Sequence, residues 1–229
     1  MPAYAAGETA YAAVAANFTR PMQRLTKQFE RQTGYVIRTS SASTGALFAQ
    51  ISHGAPYDLF LAADAARPGR LEQAGLTVPG SRFTYAIGEL VLWAPRRGTV
   101  SEQVLKQDDF DHLAIADPRT APYGAAAKQV LVSLHLWPAI APRLVRGESI
   151  NQAYQFVVSG NAALGLVARS QLVAARGATW PVPQKLYRPL TQQAVLLKHG
   201  QDNPSARAFM QYLKTKARSI IARFGYRLP

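Results

Sequence analysis

Residues 40–51 have the sequence SSASTGALFAQI, which joins a predicted β-strand to a predicted helix. The alternating run at residues 35–39 precedes it, and its later apolar residues repeat at helical spacing. Ser43 and Thr44 are natural N-cap residues, so we expect the helix to begin here. Uncovered N–H groups and the helix dipole at such a start favour an anion, and residues 35–56 contain no acidic side chain. An ordinary serine-capped helix would have the same sequence features.

Outward from this stretch, β-rich runs alternate with helical runs, which is typical of an α/β sheet with parallel strands. A late strand and two final helices follow a second α/β series. This order predicts a chain that leaves one lobe, builds another and returns, with a ligand cleft between the lobes. We predict lobe I at residues 1–84 and 194–229, and lobe II at residues 85–193. Helices are predicted to begin at residues 17, 43, 67, 105, 125, 148, 170, 204 and 217.

The composition excludes several classes of protein. The 229 residues include no cysteine, so neither a disulfide framework nor thiolate chemistry is available. No apolar run is long enough to cross a membrane. No secretory leader is present, and the opening Met1-Pro2-Ala3 looks like an expression start on a mature chain, so we expect that an export signal was removed.

The net charge of +13 raises anionic ligands, nucleic acid and membrane surfaces as partners. A run of basic residues near the end of the chain reads as the solvated face of an amphipathic helix, with a nucleic-acid arm as the alternative. It comprises Lys214, Lys216, Arg218 and Arg223.

No catalytic or bare-metal motif is found. The four histidines lie far apart in sequence, and no carboxylate–histidine spacing of the metal-binding type occurs. The nucleophile elbow and the phosphate-binding loop are both missing. Asp58 and Asp64 flank one predicted strand, for which charged strand ends are the simpler interpretation. We therefore expect a binding protein, neither an enzyme nor a holder of a cofactor or metal cation.

Several stretches together resemble the periplasmic molybdate-binding proteins of ABC importers, and the likeness runs from about residue 9 to residue 226. The stretches are AANFT at 15–19, STGALFAQI at 43–51, GAPYDLFLAAD at 54–64, YAIG at 85–88, ADP at 116–118, APYGAAA at 121–127, ALGLV at 163–167 and FGY at 224–226.

This resemblance implies two α/β lobes joined by crossover strands, the type II periplasmic binding protein fold. It also implies a monomer in the periplasm that captures molybdate or tungstate and delivers it to an ABC transporter permease, without binding nucleic acid. A binding protein for another oxyanion such as sulfate, and an anion-sensor module linked to nucleic acid, remain the alternatives.

The resemblance further implies a set of neutral donors for the anion. Carried over by position, they are Asn17, Ser43 or Thr44, the loop at Tyr123, and the backbone N–H of Ile150. Some family members have Ser in place of Asn17. Others have Tyr in place of Ala168, a contact that a Tyr123 hydroxyl would replace here. The alternatives are a surface aromatic residue for Tyr123 and an ordinary core residue for Ile150.

Neutral donors suit a tetrahedral dianion, which offers acceptors and no donors. They avoid burying an unpaired Lys or Arg. A site made only of donors also rejects phosphate, whose proton near neutral pH would face another donor at a cost of a few kcal/mol. Sulfate has no such proton, so only its smaller size can exclude it.

Overall fold

A computed structural model of the chain describes residues 9–107 and 109–229; the predicted expression start at Met1-Pro2-Ala3 lies outside the described residues. The chain forms two compact units. The discontinuous unit comprises Met1–Ile87 and Thr191–Pro229, and the continuous unit comprises Gly88–Leu190. The predicted lobe boundaries differ from these by a few residues. In the described ranges, no helix combines the length and apolarity needed to cross a membrane.

Strands and helices alternate along most of the chain. The strands are β1 (Thr9–Ala15), β2 (Val36–Ala42), β3 (Leu59–Ala62), β4 (Phe83–Gly88), β5 (Leu90–Ala94), β6 (Leu113–Ala116), β7 (Leu144–Gly147), β8 (Leu164–Ala168), β9 (Ala178–Pro181) and β10 (Leu190–Leu196). The helices are α1 (Thr19–Thr33), α2 (Thr44–Ser52), α3 (Ala66–Gln73), α4 (Glu102–Lys106), α5 (Pro122–Ser133), α6 (Trp137–Ile140), α7 (Ile150–Val158), α8 (Pro204–Thr215) and α9 (Arg218–Arg223).

The sheet of the discontinuous unit has the strand order β2-β1-β3-β10-β4. Strand β1 pairs in parallel with β2 and β3, whereas β10 runs antiparallel to β3. The predicted parallel pattern is found for the first three strands, whereas the direction of the late strand was not predicted, because hydrophobic periodicity carries no information on strand direction. Helices α1, α8 and α9 share one apolar cluster with the sheet, in which the rings of Phe29 and Phe209 lie 5.1 Å apart. A second cluster joins α2 and α3 to β3 through Leu47, Phe60 and Leu71.

The sheet of the continuous unit has the order β7-β6-β8-β5-β9. Strand β6 is parallel to β7 and β8, and β5 is antiparallel to β8 and β9. Every residue of β5, β6 and β8 is buried. Such fully buried strands read as continuous apolar runs, which is why they could be located from the sequence.

Several predicted boundaries are wrong. The predicted helix from residue 170 is only a short 3-10 turn, Arg169–Gln171, and strand β9 was not predicted because its four residues end in Pro181. Helix α4 begins at Glu102, three residues earlier than predicted, because Ser101 caps it. The basic side chains at residues 214, 216, 218 and 223 are exposed, as predicted.

Candidate functional site

The predicted donors of the discontinuous unit follow two neighbouring strand ends. Strands β1 and β2 are paired in register up to Ala15 and Ala42. Asn17 lies in a 3-10 turn directly after β1, and Ser43 directly follows β2. Since the carboxyl ends of parallel strands lie at one edge of the sheet, Asn17, Ser43 and Thr44 share that edge. Ligands of open α/β sheets bind at such edges.

The hydroxyl groups of Ser43 and Thr44 each accept one backbone hydrogen bond. Ser43 is the N-cap of α2, as predicted, and its Oγ accepts from the Ala46 N–H at 3.4 Å. Thr44 Oγ1 accepts from the Ala63 N–H at 3.1 Å, which ties the start of α2 to the end of β3. Neither hydroxyl donates to another described residue. Thr44 is only 1% exposed, so its O–H is a buried donor without an acceptor in the described chain.

The helix predicted to begin at residue 17 begins two residues later. Asn17 is not the N-cap of α1, whose cap residue is Phe18 without a side-chain cap bond. Both N–H groups of its side-chain amide are used internally, because Nδ2 donates to Gln192 Oε1 and to the Tyr226 hydroxyl, each at 2.9 Å. Asn17 therefore remains a candidate through the backbone of its turn, and its amide is not available to an anion.

The continuous unit repeats this construction. Strands β6 and β7 are parallel and paired up to Ala116 and Gly147, and helices α5 and α7 follow their ends. Tyr123 lies in the first turn of α5, not in a loop as predicted; Pro122 begins that helix, a common position for proline. Ile150 is the first residue of α7, two residues after the predicted start, and Ser149 is its N-cap.

Close backbone packing sets these two helix starts against their strands. A Cβ on Gly124 would lie 2.3 Å from the Ala116 carbonyl oxygen, and a Cβ on Gly147 would lie 2.6 Å from the Ala153 nitrogen. Only glycine fits at either position. The first turns of α5 and α7 are thereby held directly against the carboxyl ends of β6 and β7.

Gln171 fixes the start of α7 from the side of β8. Its Oε1 accepts from the Ala168 N–H at 3.0 Å, while its Nε2 donates to the Ile150 carbonyl and to Asn151 Oδ1. Gln171 is buried. Some family members carry Tyr at the position of Ala168, which here ends the buried strand β8. The Gln171 side chain that bonds to Ala168 was missed from the sequence.

Charged groups near the two edges are paired. Arg119 donates side-chain and backbone hydrogen bonds to Asp117 just after β6, which lowers the pKa of that carboxyl. Asp64, after β3, pairs with Arg67. Within the described ranges, no group of three or more His, Asp or Glu side chains could hold a metal ion.

The buried Tyr85 makes the stability of the discontinuous unit sensitive to alkaline pH. Burial, with smaller contributions from Tyr226 and Asp64, raises the pKa of Tyr85 well above its ordinary value. Its single hydroxyl proton is shared between two acceptors, the Ala62 carbonyl at 3.2 Å and Gln192 Oε1 at 3.1 Å.

We expect the free energy of unfolding to decline above about pH 10, where an unfolded tyrosine ionises. Above that pH the folded chain keeps the Tyr85 proton and the unfolded chain releases it. The contribution of Tyr85 to the free energy of unfolding is therefore fully present below about pH 10. Above it, this contribution is lost by up to about 1.4 kcal/mol per pH unit. Urea unfolding from pH 8.5 to 11.5 measures this. Tyr85→Phe should show a shallower decline, and a slope equal to the parent's would contradict the assignment.

Three buried side chains of the edge were missed from the sequence. They are Gln192 and Tyr226, which bond to the Asn17 amide, and Tyr85, which bonds to Gln192. Tyr85 and Tyr226 lie in stretches that carried the family resemblance, but no local pattern links either of them to Asn17. Gln192 gave no signal beyond a polar residue next to a predicted strand.

Residues 10–227 match the family described as bacterial extracellular solute-binding protein. The chain is 52% identical over 223 residues to the molybdate-binding protein ModA of Azotobacter vinelandii, covering 94% of this chain and 88% of that protein. It is 47% identical over 230 residues to the molybdate-binding protein ModA of Rhodobacter capsulatus, covering 99% and 90%.

Solved structures give a consistent result. The periplasmic molybdate-binding protein of Azotobacter vinelandii superposes with a TM-score of 0.92 at 41% identity, covering 96% of this chain and 99% of that one. The sulfate-binding protein SubI of Mycobacterium tuberculosis gives a TM-score of 0.75 at 14% identity, covering 96% and 87%. This second likeness concerns the fold alone.

Proposed function

The chain belongs to the bacterial extracellular solute-binding proteins, within them to the molybdate-binding proteins, and from this premise we propose that it captures molybdate or tungstate and delivers it to an ABC transporter permease. The predicted fold class, a two-lobed α/β protein of the type II periplasmic binding kind, is confirmed by these matches. We propose the periplasm as its location and a monomer as its working state. The proposed activity is binding and release, with molybdate as cargo and no cofactor.

The single observation that carries this proposal is the buried, unused donor at Thr44. A hydroxyl that belongs to a residue only 1% exposed and has no acceptor in the described chain implies that an acceptor arrives from outside. It lies at a helix start, where first-turn N–H groups also lack intrahelical partners. An oxyanion supplies acceptors to both kinds of donor, whereas a cation or a hydrogen-bond donor would be repelled.

We assign the donors as follows. Ser43 and Thr44 donate through their hydroxyls, the turn at Asn17 and the start of α7 at Ile150 donate through backbone N–H groups, and Tyr123 is the remaining candidate. All are neutral, so none buries an unpaired positive charge. The proposal is tested by isothermal titration calorimetry with molybdate, tungstate, sulfate and phosphate. Binding of the first two only is the expected result, and heat from sulfate alone would favour the alternative of a sulfate-binding protein.

Molybdate affinity should be nearly independent of pH from about 6.5 to 8.5. Asn, Ser, Thr and backbone N–H groups do not titrate, Tyr ionises only near pH 10, and the ligand stays a dianion in this range. Added sodium chloride should weaken the affinity only mildly, because buried neutral donors are screened less than surface charges. Calorimetric titrations at low and high salt across this pH range measure both effects.

A basic surface patch that accepts any dianion would behave otherwise. It would lose affinity steeply with salt, and a histidine ligand would give a sigmoid centred near pH 6.5. Either result would show that charged side chains hold the anion. The association rate is a separate quantity, and the net charge of +13 should make it fall with salt more than the affinity does.

A further inference from the structure

A closed hydrogen-bond network surrounds the turn after β1. The Tyr226 hydroxyl accepts from Asn17 Nδ2 at 2.9 Å and donates to the Asn17 carbonyl oxygen at 2.8 Å. Gln192 Oε1 accepts from Asn17 Nδ2 at 2.9 Å and from the Tyr85 hydroxyl at 3.1 Å. All four residues are buried, and Gln192 is fully inaccessible. Asn17 is therefore held through its amide and its backbone at once.

The partners of Asn17 are themselves anchored. The segment that carries Tyr226 is paired to the end of β4 by two backbone hydrogen bonds between Ile87 and Arg227, at 2.8 and 3.0 Å. The ring of Phe18 packs edge-on against the rings of Tyr85 and Tyr226, at 4.8 and 5.5 Å. Gln192 lies in β10, inside the sheet. The turn is thus fixed by three separate segments of the chain.

The bond to the Asn17 carbonyl has a directional consequence. In a trans peptide the C=O of one residue and the N–H of the next point in opposite directions. Because the Asn17 carbonyl points at the Tyr226 hydroxyl, the Phe18 N–H points away from it. That N–H points back into the 3-10 turn Ala16–Phe18, whose N-cap is Ala15. The network therefore fixes the orientation of the backbone turn that lies at the same sheet edge as Ser43 and Thr44.

We infer that Tyr226 and Gln192 are positioning residues of the anion site, which orient the backbone at Asn17 and Phe18 without touching the ligand. This inference rests on the proposed function, since it assigns how that site is held. It replaces a direct role of the Asn17 amide by an indirect one. It also explains why the polar groups of Gln192 and Tyr226 are buried in an apolar core, since they position the turn in addition to hydrogen-bonding to Asn17.

The chain offers a matched control for the central test. Tyr212 and Tyr226 are each 5% exposed, and both belong to the same apolar cluster of the discontinuous unit. The Tyr212 hydroxyl is buried without a hydrogen-bond partner among the described residues. Removing it should leave stability and binding close to those of the parent. Tyr226→Phe removes the same single atom but breaks both bonds to Asn17.

The experiment measures molybdate affinity by calorimetry and the free energy of unfolding by urea, for the full chain and for both Phe variants. Tyr226→Phe should bind molybdate about 10-fold more weakly at a temperature where circular dichroism shows it folded, since a factor of 10 corresponds to about one lost hydrogen bond. Tyr212→Phe should match the parent. A Tyr226→Phe variant that loses stability but keeps parental affinity would overturn the inference.

Two further variants make the outcome unambiguous. If Tyr226→Phe does not fold, Tyr85→Phe takes its place, because it removes one of the two bonds at Gln192 Oε1 and should weaken binding less but in the same direction. In the double variant of Asn17→Ala with Tyr226→Phe, the affinity losses should be less than multiplicative, since one side chain acts through the other. Fully multiplicative losses would contradict this. A parent that binds no molybdate would instead overturn the proposed function.

Discussion

Molybdate at about 1,000 times its dissociation constant should raise the unfolding free energy by about 4 kcal/mol, because a ligand bound only by the folded state stabilises it by mass action. For a chain of this size that corresponds to a rise of roughly 8–16 °C in melting temperature. Differential scanning fluorimetry measures the shift directly. Tungstate should produce a similar shift, since its size is nearly that of molybdate.

Sulfate and phosphate at the same concentration are the controls for this shift. Phosphate carries a proton near neutral pH that would face one of the donors, and a mismatched pair of this kind costs on the order of 1–3 kcal/mol. Sulfate can be excluded only by its size. An equal shift with sulfate would show that the donors do not select by size, and an equal shift with phosphate would show that an acceptor is present among them.

Thr44→Val should remove most of the affinity and part of the stability together. The substitution keeps the shape of the side chain but deletes the hydroxyl, so the anion loses a buried donor at a cost of about 1–3 kcal/mol, or about 5- to 150-fold in affinity. It also leaves the buried Ala63 N–H without its acceptor, which costs the folded state about 1–3 kcal/mol. Calorimetry and urea unfolding separate the two losses.

Thr44→Ser is the matched control, because it retains the hydroxyl and loses only a methyl group. It should keep most of the affinity. Ser43→Ala provides a second comparison, since it removes an N-cap worth about 1 kcal/mol of stability along with a hydroxyl donor. If Thr44→Val titrates like Thr44→Ser, the buried hydroxyl does not meet the anion and the site lies elsewhere.

The helix starts at Ser43 and Ile150 could be predicted because caps and hydrophobic periodicity are local signals. The start of α5 was misplaced although Pro122 marks it, since the stretch before Ala125 was interpreted as a loop. The internal hydrogen bonds of the Asn17 amide could not be predicted. Its partners lie 175 and 209 residues further along the chain, and no local pattern specifies such a pairing. Buried polar networks depend on tertiary packing, which periodicity does not encode.

The order of strands in the discontinuous unit determines the order in which the two units can fold during synthesis. Strand β10 lies between β3 and β4, so β4 has no neighbour in its sheet until residues 190–196 have been synthesised. The continuous unit, Gly88–Leu190, is complete before that point. Domains generally fold as units during synthesis, N-terminal segments first. Here the first strands to be synthesised belong to the sheet of the discontinuous unit, yet that sheet is completed after the sheet of the continuous unit. The turn at Asn17 is assembled latest of all, because it waits for Gln192 and then for Tyr226. A chain cut between Leu190 and Tyr226 therefore retains a finished continuous unit but lacks the assembled turn at Asn17.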